Sequence, residues 1–172
     1  LYAPFPIPPI HAASVNKAIE ESNGFLGLNL FISDNPRDDG KVSPDDIYKV
    51  GVIVKVFKKL NLPDGGLNLL INSIKRFKII RFINTESILR VEPLYMPDIS
   101  DYSSKEDENE IKAYTRALLS EVKALSENNP LFTEEMRLTM INVDDPGRLA
   151  DFVTSMINVE RASQQEILET FE

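Results

Sequence analysis

Hydrophobic positions in the middle of the chain recur with a period of two. Val50, Val52, Val54 and Val56 alternate with Gly51, Ile53, Lys55 and Phe57. That period sends successive side chains to opposite faces of a strand. Pro63-Asp64-Gly65-Gly66 then supplies turn chemistry. Proline presets φ, aspartate bonds nearby backbone, and glycine accepts positive φ. The extended pattern resumes over Leu67 to Ile74, so the stretch predicts a long β-hairpin with a connection of three or four residues. Phe77 to Ile83, rich in Ile and Phe, predicts a third strand of a β-meander.

The flanking patterns are different. Leu1 to Ile10 holds four prolines, which excludes helix there and favours an extended arm along a sheet edge. Ser14 is placed to cap a short helix through Val15, Ala18 and Ile19, with Gly24 as its stop. Phe25 to Ile32 is a short apolar run whose length predicts a buried strand. Residues 33–45 form a polar loop, and Ser87 to Tyr95 predicts a further strand that Pro93 and Pro97 place at an edge. The polar stretch from Pro97 to Asp107 is a candidate linker.

Beyond it the period changes to three and four. Ile111, Tyr114, Leu118, Val122 and Leu125 share one face of a helix, opposite Glu110, Lys112, Arg116, Glu121 and Lys123. Thr133 heads a helix through Met136, Met140 and Ile141. Asp145-Pro146 heads another, carrying Leu149, Phe152, Val153, Met156 and Ile157. Ser163 to Glu166 spells a capping box before Ile167, Leu168 and Phe171. This helical pattern is still running at the end of the sequence, from which we expect the natural protein to continue. The expected fold class is α+β: a β-rich meander over 1–100 with one short helix, then a helical unit over 101–172.

Charge supports the same division. Residues 1–100 carry 12 Lys/Arg and 11 Asp/Glu, whereas residues 101–172 carry 7 and 16. An apolar content of 42% and a charged content of 27% are ordinary for a globular protein. There is no cysteine, which removes disulfides and thiolate metal sites and is compatible with a reducing cytoplasm. No apolar run approaches the roughly 20 residues that span a bilayer, and the start does not read as a signal or transit peptide.

Enzymatic motifs are scarce. His11 is the single histidine, so an imidazole cluster for metal cannot form within the chain. A Ser-His-Asp triad would have to draw on the proline-rich arm. The P-loop pattern is missing, and Gly65-Gly66 is a pair in a turn. Asp34, Asp38 and Asp39 lack the spacing and closing glutamate of an EF-hand loop. Ser73 and Lys75 share a strand face but nothing marks the serine as activated. Asp38-Asp39 and Asp144-Asp145 read as a solvated loop and a helix cap. Lys55, Lys58, Lys59, Lys75, Arg76, Lys78 and Arg81, interleaved with Phe57, Phe77 and Phe82, leave an RNA-binding sheet as an alternative. The acidic second half weighs against nucleic acid.

Three segments of the meander carry a family resemblance: Asp46-Ile47-Tyr48-Lys49-Val50-Gly51, Leu60-Asn61-Leu62-Pro63-Asp64-Gly65 and Ile74-Lys75-Arg76-Phe77. With Phe5-Pro6 and Pro9, Asp145-Pro146-Gly147-Arg148-Leu149-Ala150-Asp151, and Gln165-Glu166-Ile167-Leu168-Glu169, the chain resembles the N-terminal domain of Lon proteases over nearly its whole length. The family's glycine before the arginine is replaced by Ser73.

The resemblance implies a β-rich pseudo-barrel followed by a helical bundle, without peptidase or ATPase activity of its own. ATP and Mg²⁺ are expected only in an ATPase module, and a Ser–Lys dyad only in a peptidase module, both outside these residues. The implied role is recognition of unfolded or degron-bearing proteins and support of hexamer assembly, in the cytoplasm and without a membrane. A stand-alone adaptor with the same domain is the alternative. Strand addition at a sheet edge, with apolar contacts, is a physical route to such binding. The expected contact residues are Leu60, Leu62 and Leu67 around the hairpin tip and Phe5, Ile7 and Ile10 in the arm.

Overall fold

The structure is a computed structural model and describes residues 2–33, 42–84, 88–96, 104–127, 132–134, 137–138, 145–156 and 159–170. The chain divides into two compact units, Leu1–Pro97 and Asp98–Glu172.

In the first unit, Tyr2–Ile7 is a strand (β1), Pro9–Glu21 a helix (α1) and Phe25–Phe31 a strand (β2). The strands Ile47–Asn61 (β3), Leu67–Asn84 (β4) and Arg90–Tyr95 (β5) follow. All pairings are antiparallel, in the order β1-β4-β3-β2 with β5 also on β4. β1 pairs with residues 67–72 of β4 and β5 with residues 77–84, so the two share one edge of β4 end to end. The expected break after Ile74 is absent. Residues 74–77 are Ile-Lys-Arg-Phe, with no glycine or proline to turn the chain, and one strand of 18 residues runs through.

The hairpin connection spans residues 62–66, one longer than expected. Gly65 takes φ 88 and donates its N–H to the Leu62 carbonyl at 3.0 Å. Gly66 donates to Asp64 Oδ1 at 2.9 Å, and Leu62 donates to the Gly66 carbonyl at 2.9 Å.

Helix begins at Pro9, inside the stretch where the prolines exclude it in the sequence reading, and not at Ser14. The physical reason is positional. A proline at the first helical residue gives up an N–H that has no helical partner anyway, and its φ is already helical. At the other end Asn23 takes φ 53, and Gly24 donates to the Ile19 carbonyl at 2.8 Å. That i→i−5 bond closes a Schellman-type stop.

β2 is not the buried strand its apolar run predicts. It ends the sheet order, and Phe25 and Gly27 are exposed while its remaining residues are half-buried. β5 follows the edge expectation with Pro93 inside it; Ser87 lies outside the described residues.

Two clusters of side chains fill this unit. Ala12 of α1 packs with Val54, Leu67, Leu69 and Ile71, joined by Ile7, Val15, Ile19, Leu26 and Leu28. Ile47, Phe77 and Ile79 form the second, with Phe31, Phe82, Leu89 and Val91.

The second unit contains Lys105–Glu127 (α2), Pro146–Met156 (α3) and Arg161–Glu169 (α4). Lys105 to Asp107, expected as linker, already belong to α2, and Ser104 Oγ accepts the Asp107 N–H at 3.1 Å. Val122 and Leu149 lie at the centre with Leu119, Phe132, Phe152 and Val153 around them. The buried stripe of α2 is rotated from the expected face: Val122 and Ser126 are buried, whereas Tyr114, Leu118 and Leu125 are exposed. Periodicity fixes the width of an apolar stripe but not which border of it meets a neighbour. Arg137 Nη2 donates to the Ser126 carbonyl at 2.8 Å, placing a cation at the C-terminal end of α2.

Asp145 caps α3 as expected, accepting the Arg148 N–H on Oδ1 at 2.7 Å. α4 starts at Arg161 after Glu160, so Ser163 is inside the helix and does not head a capping box. Met136, Met140, Ile141, Ile157 and Phe171 lie outside the residues whose placement is described.

Candidate functional site

Residues facing each other across an antiparallel ladder project from the same side of the sheet. Leu67, Leu69 and Ile71 point into the core, so their β1 partners Ile7, Phe5 and Ala3 share that side. The intervening residues point the other way. Tyr2 stands across from Asn72, Pro4 from Leu70 and Pro6 from Asn68. On the opposite flank of β4, Lys58 stands across from Leu70 and Leu60 from Asn68. The result is an outer face built by three strands, with Pro4–Leu70–Lys58 in one row and Pro6–Asn68–Leu60 in the next.

A groove of about 220 Å³ opens on this face, lined by Pro4, Lys58, Leu60, Asn68, Leu69 and Leu70. Leu60 is 50% exposed and Leu70 38% exposed, large values for leucines on a sheet. Phe57 is an extra residue in β3, between Val56 opposite Ile71 and Lys58 opposite Leu70. The bulge turns its ring toward Tyr2, with centroids 4.9 Å apart and planes at 77°. The aromatic pair extends the apolar face past Leu70.

The six expected contact residues therefore separate. Leu60 belongs to the groove. Leu62 is half-buried in the turn. Leu67 is 2% exposed and is a core residue, so it offers nothing to a ligand. Ile7 is half-buried against that core, and Phe5 shares its side of the sheet. Ile10 is 65% exposed on α1. Tyr2, Pro4 and Leu70 escaped the sequence reading, and Phe57 entered it only in the strand alternation and among the aromatics of the basic face. Spacing of the arm and hairpin marks which residues alternate, but the register between strands far apart in sequence decides which ones meet.

Much of the basic surface has partners inside the protein. Lys55 Nζ sits 4.1 Å from the Phe25 ring centroid, and Lys49 Nζ 4.7 Å from that of Phe82. Lys59 Nζ donates to Asn16 Oδ1 at 2.6 Å, and Arg81 pairs with Glu92 at 2.5 Å. Arg90, at the head of β5, pairs with Glu21 of α1. Ser73 and Lys75 do not follow the strict alternation expected of them, because Ile74 is an extra residue between them in the β3–β4 ladder. Among the described residues no group of three or more His, Cys, Asp or Glu side chains is placed to hold a metal ion. No helix described is long and apolar enough to cross a membrane.

An open, apolar, grooved sheet face is a kind of surface on which another chain can lie. The chain belongs to the family described as the ATP-dependent protease La (LON) substrate-binding domain, which matches residues 5–172. It is 44% identical over 156 residues to the Lon protease of Treponema pallidum (strain Nichols), covering 91% of this chain and 17% of that protein. It is 43% identical over 157 residues to the Lon protease of Leptospira interrogans serogroup Icterohaemorrhagiae serovar copenhageni (strain Fiocruz L1-130), covering 90% of this chain and 18% of that protein. The chain thus spans less than a fifth of the length of these curated relatives. Its fold is similar to the solved N-terminal domain of Mycobacterium avium complex Lon protease, with a TM-score of 0.73 at 20% identity, over 100% of this chain and 83% of that one. The mixed α and β architecture and the resemblance carried by the Leu62-Pro63-Asp64-Gly65 turn both agree with this family.

Proposed function

We propose that this chain is the substrate-recognition domain of an ATP-dependent Lon-type protease and that it holds extended apolar segments of unfolded or degron-bearing proteins on the outer face of β1, β4 and β3. The observation that carries the reading is the groove between Pro4, Leu60 and Leu70, on the exposed side of a sheet in a family described by substrate binding. A folded substrate keeps its apolar side chains inside and has little to place there. An unfolded one presents them freely, and burying them against Leu60, Leu70 and Phe57 is favourable at about 25 cal/mol per Å².

In this reading peptide cleavage, ATP and Mg²⁺ belong to other modules of the parent protein. Self-association into a hexamer and a cytoplasmic location complete the proposal, and the absence of cysteine suits a reducing compartment.

The test is binding of a permanently unfolded polypeptide, reduced and carboxymethylated lactalbumin, followed by fluorescence anisotropy. Leu60→Ser with Leu70→Ser is expected to weaken binding about tenfold with the circular dichroism spectrum unchanged. Undiminished binding by a folded double variant would move the site elsewhere.

A further inference from the structure

Three strands of the sheet have a free flank, and they are not guarded alike. β1 carries Pro4 and Pro6, and β5 carries Pro93 together with Arg90 and Glu92. Prolines and charges on an edge strand obstruct pairing with another chain. β2, Phe25-Leu26-Gly27-Leu28-Asn29-Leu30-Phe31, has neither. Its backbone is also open. Val56 donates its N–H to the Gly24 carbonyl at 2.8 Å, and the ladder continues with Leu26 across from Val54 and Leu28 across from Val52. Hydrogen-bonded positions alternate along an antiparallel ladder. The even-numbered residues therefore face β3, and Gly27 and Asn29 direct their N–H and C=O groups to the free flank. Among the described residues no backbone partner meets them there.

The sequence of the strand says what fits that flank. Read in either direction from Leu28 it is Gly or Asn, then Leu, then Phe. An antiparallel copy centred on Leu28 sets Phe25 across from Phe31, Leu26 across from Leu30 and Gly27 across from Asn29. This register pairs odd positions with odd ones, so the outward groups of Gly27 meet those of Asn29 from the other copy. The two Leu28 residues meet at the two-fold axis as a non-hydrogen-bonded pair. Leu26 and Leu28 pack on the first core cluster and are only half-buried, and the copy lays apolar side chains along their open side. Charge does not oppose the contact. Residues 1–100, which include β2, carry 12 Lys/Arg and 11 Asp/Glu, although the whole chain carries −8. An unrelated extended peptide would gain the backbone bonds without the matched leucines and phenylalanines.

We propose that two copies of this chain join their β2 strands antiparallel about a two-fold axis at Leu28, so that one sheet runs through both. Such a contact uses the same patch on each copy and closes on itself. The guarded flanks of β1 and β5 do not carry it further. The proposal rests on the preceding reading only for self-association, to which it gives a surface separate from the groove at Leu60 and Leu70.

The chain has no cysteine, so single introduced thiols report the register. Non-hydrogen-bonded partners have Cα atoms about 4.5 Å apart, inside the span of roughly 4.4–6.8 Å that a disulfide bridges. Leu28→Cys is expected to give a covalent dimer on mild oxidation. Leu26→Cys and Leu30→Cys each lie about 13 Å from their own counterpart, and are expected to stay uncoupled alone and to cross-link when mixed. Sedimentation equilibrium should show the unaltered chain in exchange between monomer and dimer. Leu30 belongs to neither core cluster of its unit, and Leu30→Lys should weaken the dimer about tenfold by setting an ammonium against Leu26 of the copy. An unaltered chain that stays monomeric overturns the proposal, as does cross-linking of Leu26→Cys alone to the same extent as Leu28→Cys. A monomeric chain whose Leu30→Lys variant no longer holds carboxymethylated lactalbumin would mean that this edge takes a substrate strand and not a second copy. Lactalbumin binding that survives Leu30→Lys and fails in Leu60→Ser with Leu70→Ser leaves the groove reading standing, whichever way the dimer test falls.

Discussion

A Cβ placed on Gly51 would lie 2.4 Å from the carbonyl oxygen of Leu28, closer than any real side chain tolerates. The crowding arises where β2 crosses β3, with Asn29 across from Gly51 and Asn29 Nδ2 donating to the Tyr48 carbonyl at 3.0 Å. Backbone cannot move aside as a flexible side chain does. Gly51→Ala is expected to destabilise the first unit by about 1–3 kcal/mol, read as a lower urea midpoint at unchanged slope.

The hairpin turn makes a second, more local demand. A Cβ on Gly66 would meet the Ile7 carbonyl at 2.8 Å, so the glycine lets the end of β1 approach the turn. Gly66→Ala should loosen β1 before it disturbs β3 and β4. Hydrogen exchange would show faster exchange at Ala3, Phe5 and Ile7, while Val52 and Val54 keep their protection.

Asp145 governs the start of α3 through its bond to the Arg148 N–H, one turn before the fully buried Leu149. Asp145→Ala should cost about 1 kcal/mol, whereas Asp145→Asn, which keeps the acceptor, should be close to neutral. Leu149→Ala should cost about 2–5 kcal/mol by leaving a cavity beside Val122. Thermal melts followed by circular dichroism at 222 nm would rank the three.

Pro4 and Pro6 alternate along β1 and stand across from Leu70 and Asn68. Their rings fit a ladder only where the missing N–H faces away from β4, which strips donors from the free edge. Pro4→Val with Pro6→Val restores two donors on that edge. Sedimentation velocity is expected to show stronger concentration-dependent self-association for the double variant than for the unaltered chain.

The elements that sequence reveals here are those set by neighbours in the chain. Val50 to Val56 and Pro63-Asp64-Gly65 mark a hairpin because alternation and turn chemistry are local. The Asp145-Pro146 cap is legible for the same reason. Where sequence misleads, a distant partner decides. The Leu67–Asn84 strand continues past Ile74, where no glycine or proline turns the chain, because β5 takes over pairing beyond β1. α1 starts at Pro9 because its apolar face, with Ala12, meets Leu67 and Leu69. The groove is the extreme case. Leu60 is visible as an exposed apolar residue of the hairpin, but Leu70 is brought to it by the β3–β4 register, Pro4 by the β1–β4 register, and Phe57 by a bulge.

That register also sets a clock. Phe5 pairs with Leu69, some 64 residues further along the chain. At a synthesis rate of roughly 5–20 residues per second, β1 waits several seconds for its partner strand to be made. The helix and hairpin can form meanwhile from contacts nearer in sequence, but a groove walled by Pro4 on one strand and Leu70 on another has no existence until they meet. In the proposed reading, a chain still being made has no groove with which to grip its neighbours on the ribosome until β1 has docked.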